Sequence, residues 1–364
     1  MKKVKIIITL ILVFLLFYLR LSVRLINTPS EDEIAEIAGF KSIKYLIIDY
    51  LPRIPGGSPG GYLIVYPLNK ISPNNILFLG LPGLISHFLV FLIIPKSISK
   101  LKIIKPEYNF LVSSITRLFF VLDPTLVYQS MEIRPYAFLP LYWIISIFLV
   151  SRLIKIDKYK NKSLIKYILF SILLTVFFVW HFYVLIMFLS IYFFIKMRSI
   201  EKFSFQSLLP KSIIPIFSSI ILASPFWIYF SQGKGAAPYN TFGWLHVVIA
   251  QIYAIDKGSQ KGIIWQNWLY FFLIVLIITL ILYTFLSYLL QRRNLKGIEY
   301  LVNFIYINSV LVVLPIIVII LLDISAKYMF LYRQFVWIAI PFYISTGILV
   351  ARIINNRLKK ESND

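Results

Sequence analysis

The sequence predicts an all-helical membrane protein of about ten transmembrane helices, and three observations carry that expectation. Of 364 residues, 59% are hydrophobic, 17% aromatic and only 14% charged, whereas soluble chains of this size carry about 25% charged residues. The apolar residues fall in blocks of roughly 15–25, the length that crosses a bilayer as helix. Short lysine-rich segments separate the blocks. This pattern excludes a soluble enzyme, a secreted disulfide scaffold and a disordered chain. The absence of cysteine excludes disulfides, a thiolate nucleophile and a cysteine-based zinc site.

The blocks place candidate spans at 6–26, 76–95, 108–123, 136–154, 166–180, 182–196, 212–231, 266–290, 299–322 and 335–353. The first follows Met1-Lys2-Lys3-Val4-Lys5, a basic start like that of a signal peptide. No small-x-small site follows it, so it is expected to remain as an uncleaved span. The pair at 166–196 is expected to be two short helices turning near His181, because two spans keep the charge asymmetry consistent downstream. One long tilted helix is the alternative. The chain is expected to be a single membrane unit, 1–364, with a core module at 1–195 and more variable helices at 196–364 that include a loop at 232–264.

Charge sets the orientation. Ten spans put 24 of the 37 Lys and Arg residues in the termini and the turns on the same side. By the positive-inside rule that side is cytoplasmic, termini included. The net charge of +22 therefore belongs to topology and anionic lipid rather than to nucleic acid, which is not an expected partner.

Two long segments remain outside. The first runs from about residue 27 to 75. Its stretch 31–48 has apolar residues at 34, 37, 40, 43, 46 and 47 and acids gathered at the start, which suits a helix dipole. It is expected to form one amphipathic helix lying on the membrane surface. The second is 232–264, with Lys234, Tyr239, Trp244 and His246. Nine of the fifteen acids fall on this side, among them Glu31, Asp32, Glu33, Glu36, Asp49, Asp123 and Glu132. Because acids contribute little to topology, their concentration points to a site on the extracytoplasmic face.

Two clusters could carry its chemistry. A carboxylate of Glu31-Asp32-Glu33 could take a proton from an acceptor hydroxyl; the alternative is a solvated helix start. The stretch Asp123-Pro124-Thr125-Leu126-Val127-Tyr128-Gln129-Ser130-Met131-Glu132-Ile133-Arg134-Pro135-Tyr136 packs acids, an arginine and tyrosines between apolar segments. A guanidinium there matches phosphate oxygens; the alternative is a structural Glu–Arg pair in an interhelical turn. The three histidines, His87, His181 and His246, have no metal-ligand spacing. Arg117, inside a span, either snorkels or reaches a phosphate.

The second cluster resembles the "ysqEaRpYall" segment of membrane glycosyltransferases of the GT-C superfamily, the group of protein O-mannosyltransferases and aminoarabinose lipid A transferases. Other pieces resemble that family in the same order. Asp32-Glu33 is similar to its acidic motif, and Asp49-Tyr50 through Ser58-Pro59-Gly60-Gly61-Tyr62 to its "dy…hPPlyyll" stretch. Val179-Trp180-His181-Phe182-Tyr183 is similar to "tHy.gl", and Tyr332-Arg333 with Pro341 to "RYl…Pal". The chain departs from the family where Ser58 stands in place of a histidine. The resemblance implies transfer of a sugar from a polyprenyl-phosphate carrier to an acceptor. Asp32 would be the base, with Glu33 orienting it or binding the acceptor. Arg134, Arg333, Lys327 and Lys234 would hold the carrier phosphate, and Glu132, Tyr136, Tyr128, His181 and Asp49 would line the substrate. No cofactor is implied. Family members differ on a divalent metal, and the outer carboxylates leave room for one. A lipid or solute transporter or flippase, and a relative that binds the carrier without catalysis, are the alternatives.

Overall fold

The computed structural model describes residues 2–29, 31–53, 59–101, 108–153, 186–187, 189–192, 194–195, 221, 225, 304, 307–315, 318 and 337–361. The helices among the described residues are α1 (Lys2–Ile26), α2 (Glu31–Ala38), α3 (Pro59–Ile71), α4 (Ile76–Leu101), α5 (Asn109–Leu122), α6 (Pro124–Gln129), α7 (Leu139–Leu153) and α8 (Ala339–Glu361). Tyr45–Tyr50 and Ser309–Val313 wind as π-helical turns, and Leu51–Arg53 and Pro135–Phe138 as 3₁₀ turns. No strand occurs among the described residues. Among the described residues, two helices, Lys3–Ile26 and Ile76–Leu101, are long and apolar enough to cross a membrane. Asn109–Leu122, Tyr136–Ser151 and Ala339–Ala351 are shorter apolar helices. The expected spans at 166–180 and 266–290, nearly all of 212–231, and about half of 182–196 and of 299–322 lie outside the described residues.

α5 packs against α1, α4 and α8, and α7 packs against α4. Their shared core includes Leu16, Phe91, Phe120, Trp143 and Trp337, all buried. A second, smaller core lies near the end of α1. There Phe40, Leu46 and Leu51 pack on Tyr62 and Val65 of α3, Leu79 of α4 and Ile133. Glycine decides one approach: a side chain at Gly83 would run into the Ser130 carbonyl oxygen, and one at Gly80 would meet that of Met131 at 2.6 Å. These two positions let the 130–131 turn rest directly on α4.

Proline explains where the polar side chains inside this core point. Pro95 lies inside α4. It has no N–H and leaves the carbonyl of Phe91, four residues earlier, without its helical donor. Arg117 Nε of α5 donates to that carbonyl at 2.9 Å, its guanidinium 4.5 Å from the Phe91 ring centroid. The helix therefore continues through Pro95 to Leu101, six residues past the expected edge. Arg117→Leu should cost about 1–3 kcal/mol by orphaning the carbonyl. Thermal unfolding in detergent would measure it, and an unchanged midpoint would contradict this role.

The same account holds at the α5–α6 corner. Pro124 provides no donor for the Phe120 carbonyl, and Thr125 N–H turns instead to Asp123 Oδ1 at 2.8 Å, joined there by Leu126 N–H at 3.0 Å. The carbonyls of Phe120 and Val121 are thus released, and Arg20 of α1 takes both, at 3.1 and 3.3 Å. Arg20 is 0% exposed. Its Nε and Nη2 also lie 3.4 and 3.3 Å from His87 Nδ1 on α4. A guanidinium has no acceptor, so that nitrogen must be the unprotonated one of the ring. Asp123 Oδ2 accepts the Tyr343 hydroxyl of α8.

The stretch 31–48 differs from its expected single helix. α2 stops at Ala38, a turn follows, and the chain resumes as helix at Ile43. The turn brings Gly39 against the ring of Tyr50, which lies where a side chain on residue 39 would stand. The break divides the apolar residues. Phe40 and Leu46 turn into the second core, whereas Ile34 and Ile43 stay exposed.

Candidate functional site

α2 is held at the end of α1 by two glutamates one turn apart. Glu33 Oε2 accepts from Arg24 Nη1 at 3.0 Å, and its Oε1 forms an ion pair with Nη2 of the same guanidinium at 2.8 Å. Its Oε1 also accepts the backbone N–H of Ile133 at 3.1 Å. One carboxylate therefore joins the last turn of α1 to the segment between α6 and α7. Glu36 lies 3.5 Å from Arg134 Nε and accepts the Tyr50 hydroxyl at 3.5 Å; that hydroxyl also donates to the Ala35 carbonyl at 2.8 Å. The Arg134 guanidinium stands 5.2 Å from the Tyr136 ring centroid. All four ionic side chains are largely buried, where charges persist only when paired.

Tyr50 and Tyr62 complete the pocket of Glu36. Burial raises both phenols above their ordinary value, and the charge and hydrogen bonding of Glu36 raise them further. Both are thus held as donors. The linkage follows: the unfolded chain releases these protons near pH 10.0, while the fold retains them. Stability is complete below that pH and should fall as pH rises above it. Unfolding midpoints between pH 8 and 11.5 would show the decline, and Tyr62→Phe should remove part of it; an identical slope in the variant would assign the decline elsewhere.

Of the residues expected to act, Glu33, Arg134 and Tyr136 are brought together. Glu132 is buried beside them in sequence, with its N–H on the Gln129 carbonyl at 3.2 Å. Tyr128 is half-buried at the end of α6, and Asp49 is half-buried in the π-helical turn. Asp32 belongs to α2, and its side chain lies outside the described residues. So do His181, Lys234, Lys327 and Arg333. Among the described residues, no three histidine, aspartate or glutamate side chains are grouped as metal ligands would be.

The sequence assigns no role in the site to Arg24, Glu36, Tyr50 or Tyr62. The helical spacing of Glu33 and Glu36 was a signal for one of them. Nothing in the spacing marked Arg24 as their partner, since it sits at the end of an apolar span.

No protein-family model, no curated protein and no solved structure matches this chain.

Proposed function

We propose that the chain is a polytopic membrane glycosyltransferase similar to the GT-C superfamily. In this proposal it has about ten spans, cytoplasmic termini and an extracytoplasmic site, and it takes its sugar from a polyprenyl-phosphate carrier. The observation that supports it best is the meeting of α2 with the 132–136 segment. An acid-bearing helix and a phosphate-matching arginine, a hundred residues apart in sequence, are joined by the Glu33–Ile133 and Glu36–Arg134 contacts.

The chemistry would proceed as a displacement. Asp32 takes the proton of the acceptor hydroxyl as its oxygen bonds to the anomeric carbon. The bond from that carbon to the carrier phosphate breaks, and the phosphate leaves with the electron pair. Arg134 would bind this leaving group, helped by Arg333, Lys327 and Lys234. Fixed cations aimed at developing charge are usually a large part of transfer catalysis. Glu33, bound to Arg24 and Ile133, would orient α2 and with it Asp32.

Asp32→Asn in the purified protein should lower sugar transfer from a polyprenyl-phosphate donor by at least about a hundredfold, with donor binding retained. Turnover at the original rate would remove Asp32 from the mechanism. Arg134→Gln should weaken donor binding instead. The buried Arg20–His87 contact favours a second proposal, a transporter or flippase, because ionisable side chains within spans often line translocation paths. Substrate flux into proteoliposomes without sugar transfer would favour that alternative.

A further inference from the structure

Where α3 ends and the chain turns into α4, the surface combines bare isoleucines with lysines. Ile43, Ile48 and Ile71 are 50%, 52% and 72% exposed. Lys41, Lys44 and Lys70, beside them in sequence, are also exposed. Lys70 Nζ donates to the Lys41 carbonyl at 3.3 Å, so the end of α3 and the 41–45 turn form one continuous surface. The ammonium groups are carried on aromatic faces: Lys41 lies 5.2 Å from the Tyr45 ring centroid and Lys70 5.4 Å from that of Tyr66. Among the described residues, no carboxylate pairs with these three lysines.

The level of this surface is fixed by α4. Residues 72–75 alone separate Ile71 from Ile76, where a helix long and apolar enough to cross a membrane begins. That connector is folded on itself, with Asn75 N–H on the Ser72 carbonyl at 3.3 Å and Asn74 N–H on Asn69 Oδ1 at 3.0 Å. If α4 crosses the bilayer, Lys70 and Ile71 stand at the headgroup level. Tyrosines, lysines and large aliphatic side chains together suit that zone.

We propose that Lys41, Ile43, Lys44, Ile48, Lys70 and Ile71 form a docking surface for anionic phospholipid. The isoleucines enter the boundary between headgroups and acyl chains, and the ammonium groups bind lipid phosphates. This assignment requires α4 to cross the bilayer but is independent of any transfer chemistry.

The chain has no cysteine, so Ile43→Cys and Ile71→Cys each introduce a single thiol for a bimane label. The full chain would be placed in nanodiscs of phosphatidylcholine, with and without phosphatidylglycerol. Bromines near the glycerol of either lipid should quench both labels, and aqueous iodide should not. Brominated phosphatidylglycerol should quench more strongly than brominated phosphatidylcholine at equal mole fraction. In the Lys41→Gln/Lys70→Gln background, the local enrichment of phosphatidylglycerol should fall by about fivefold per lysine. Strong iodide quenching would mean that the surface faces water and would overturn the proposal. Protection from both quenchers would mean that protein covers it, with the same consequence. Equal quenching by the two lipids before and after the lysine changes would refute the anionic preference.

Discussion

Arg20→Leu should cost about 3–5 kcal/mol of stability, the range for removing one member of a buried charged network. Three deficits combine. The carbonyls of Phe120 and Val121, released by the Pro124 corner, lose their donors. His87 Nδ1 loses both of its contacts with the guanidinium. Asp123, whose charge acts on Arg20, loses that cation while its own oxygens remain on α6 and Tyr343. Arg20→Lys should recover only part, since one ammonium cannot reproduce a planar fork serving two carbonyls and an imidazole. Thermal or denaturant unfolding in detergent would order the three proteins as arginine, lysine, leucine. A leucine variant within about 1 kcal/mol of the original would mean that water or a rearranged neighbour satisfies the corner, since an orphaned buried group alone costs more than this. The network joins α1, α4, α5, α6 and α8, so the loss should affect the whole described bundle.

Much of this architecture was legible in the sequence where apolar length was the deciding signal. Span 6–26 became α1, 108–123 became α5 and 136–154 became α7, with edges displaced by a few residues. The edges failed where a side chain from elsewhere replaced a backbone donor. The expected span ends at 95, but α4 runs on through Pro95 to Leu101, with Arg117 on the Phe91 carbonyl that the proline leaves free. The break in 31–48 was hidden for a different reason: it goes with a contact between Gly39 and the ring of Tyr50, eleven residues on, which periodicity does not register. In the candidate site, Arg134 and the acidic start of α2 were readable because their residue types stand out against apolar surroundings. Arg24 was not. A basic residue at the end of a span normally reads as a membrane-interface anchor, and its pairing with Glu33 depends on how the chain reverses after α1.

Glu33→Ala should likewise cost about 3–5 kcal/mol, because it leaves the Arg24 guanidinium buried without its carboxylate and the Ile133 N–H without its acceptor. The distinction between a clasp and a chemical group lies in the double variant. Arg24→Met combined with Glu33→Leu replaces the ion pair by apolar side chains, an exchange that is often neutral or stabilising. The Ile133 N–H would then remain unsatisfied, at about 1–3 kcal/mol. The double variant should therefore be more stable than Glu33→Ala alone, a non-additivity expected for residues in direct contact. If Glu33 serves only to hold α2 against the 132–136 segment, transfer activity should recover along with stability in the double variant. If its charge takes part in the reaction beside Asp32, stability should return and activity should not. Strictly additive losses from the two single changes would show that Arg24 and Glu33 do not act on each other, and the joining of α1, α2 and Arg134 would then rest on Glu36 and its tyrosines.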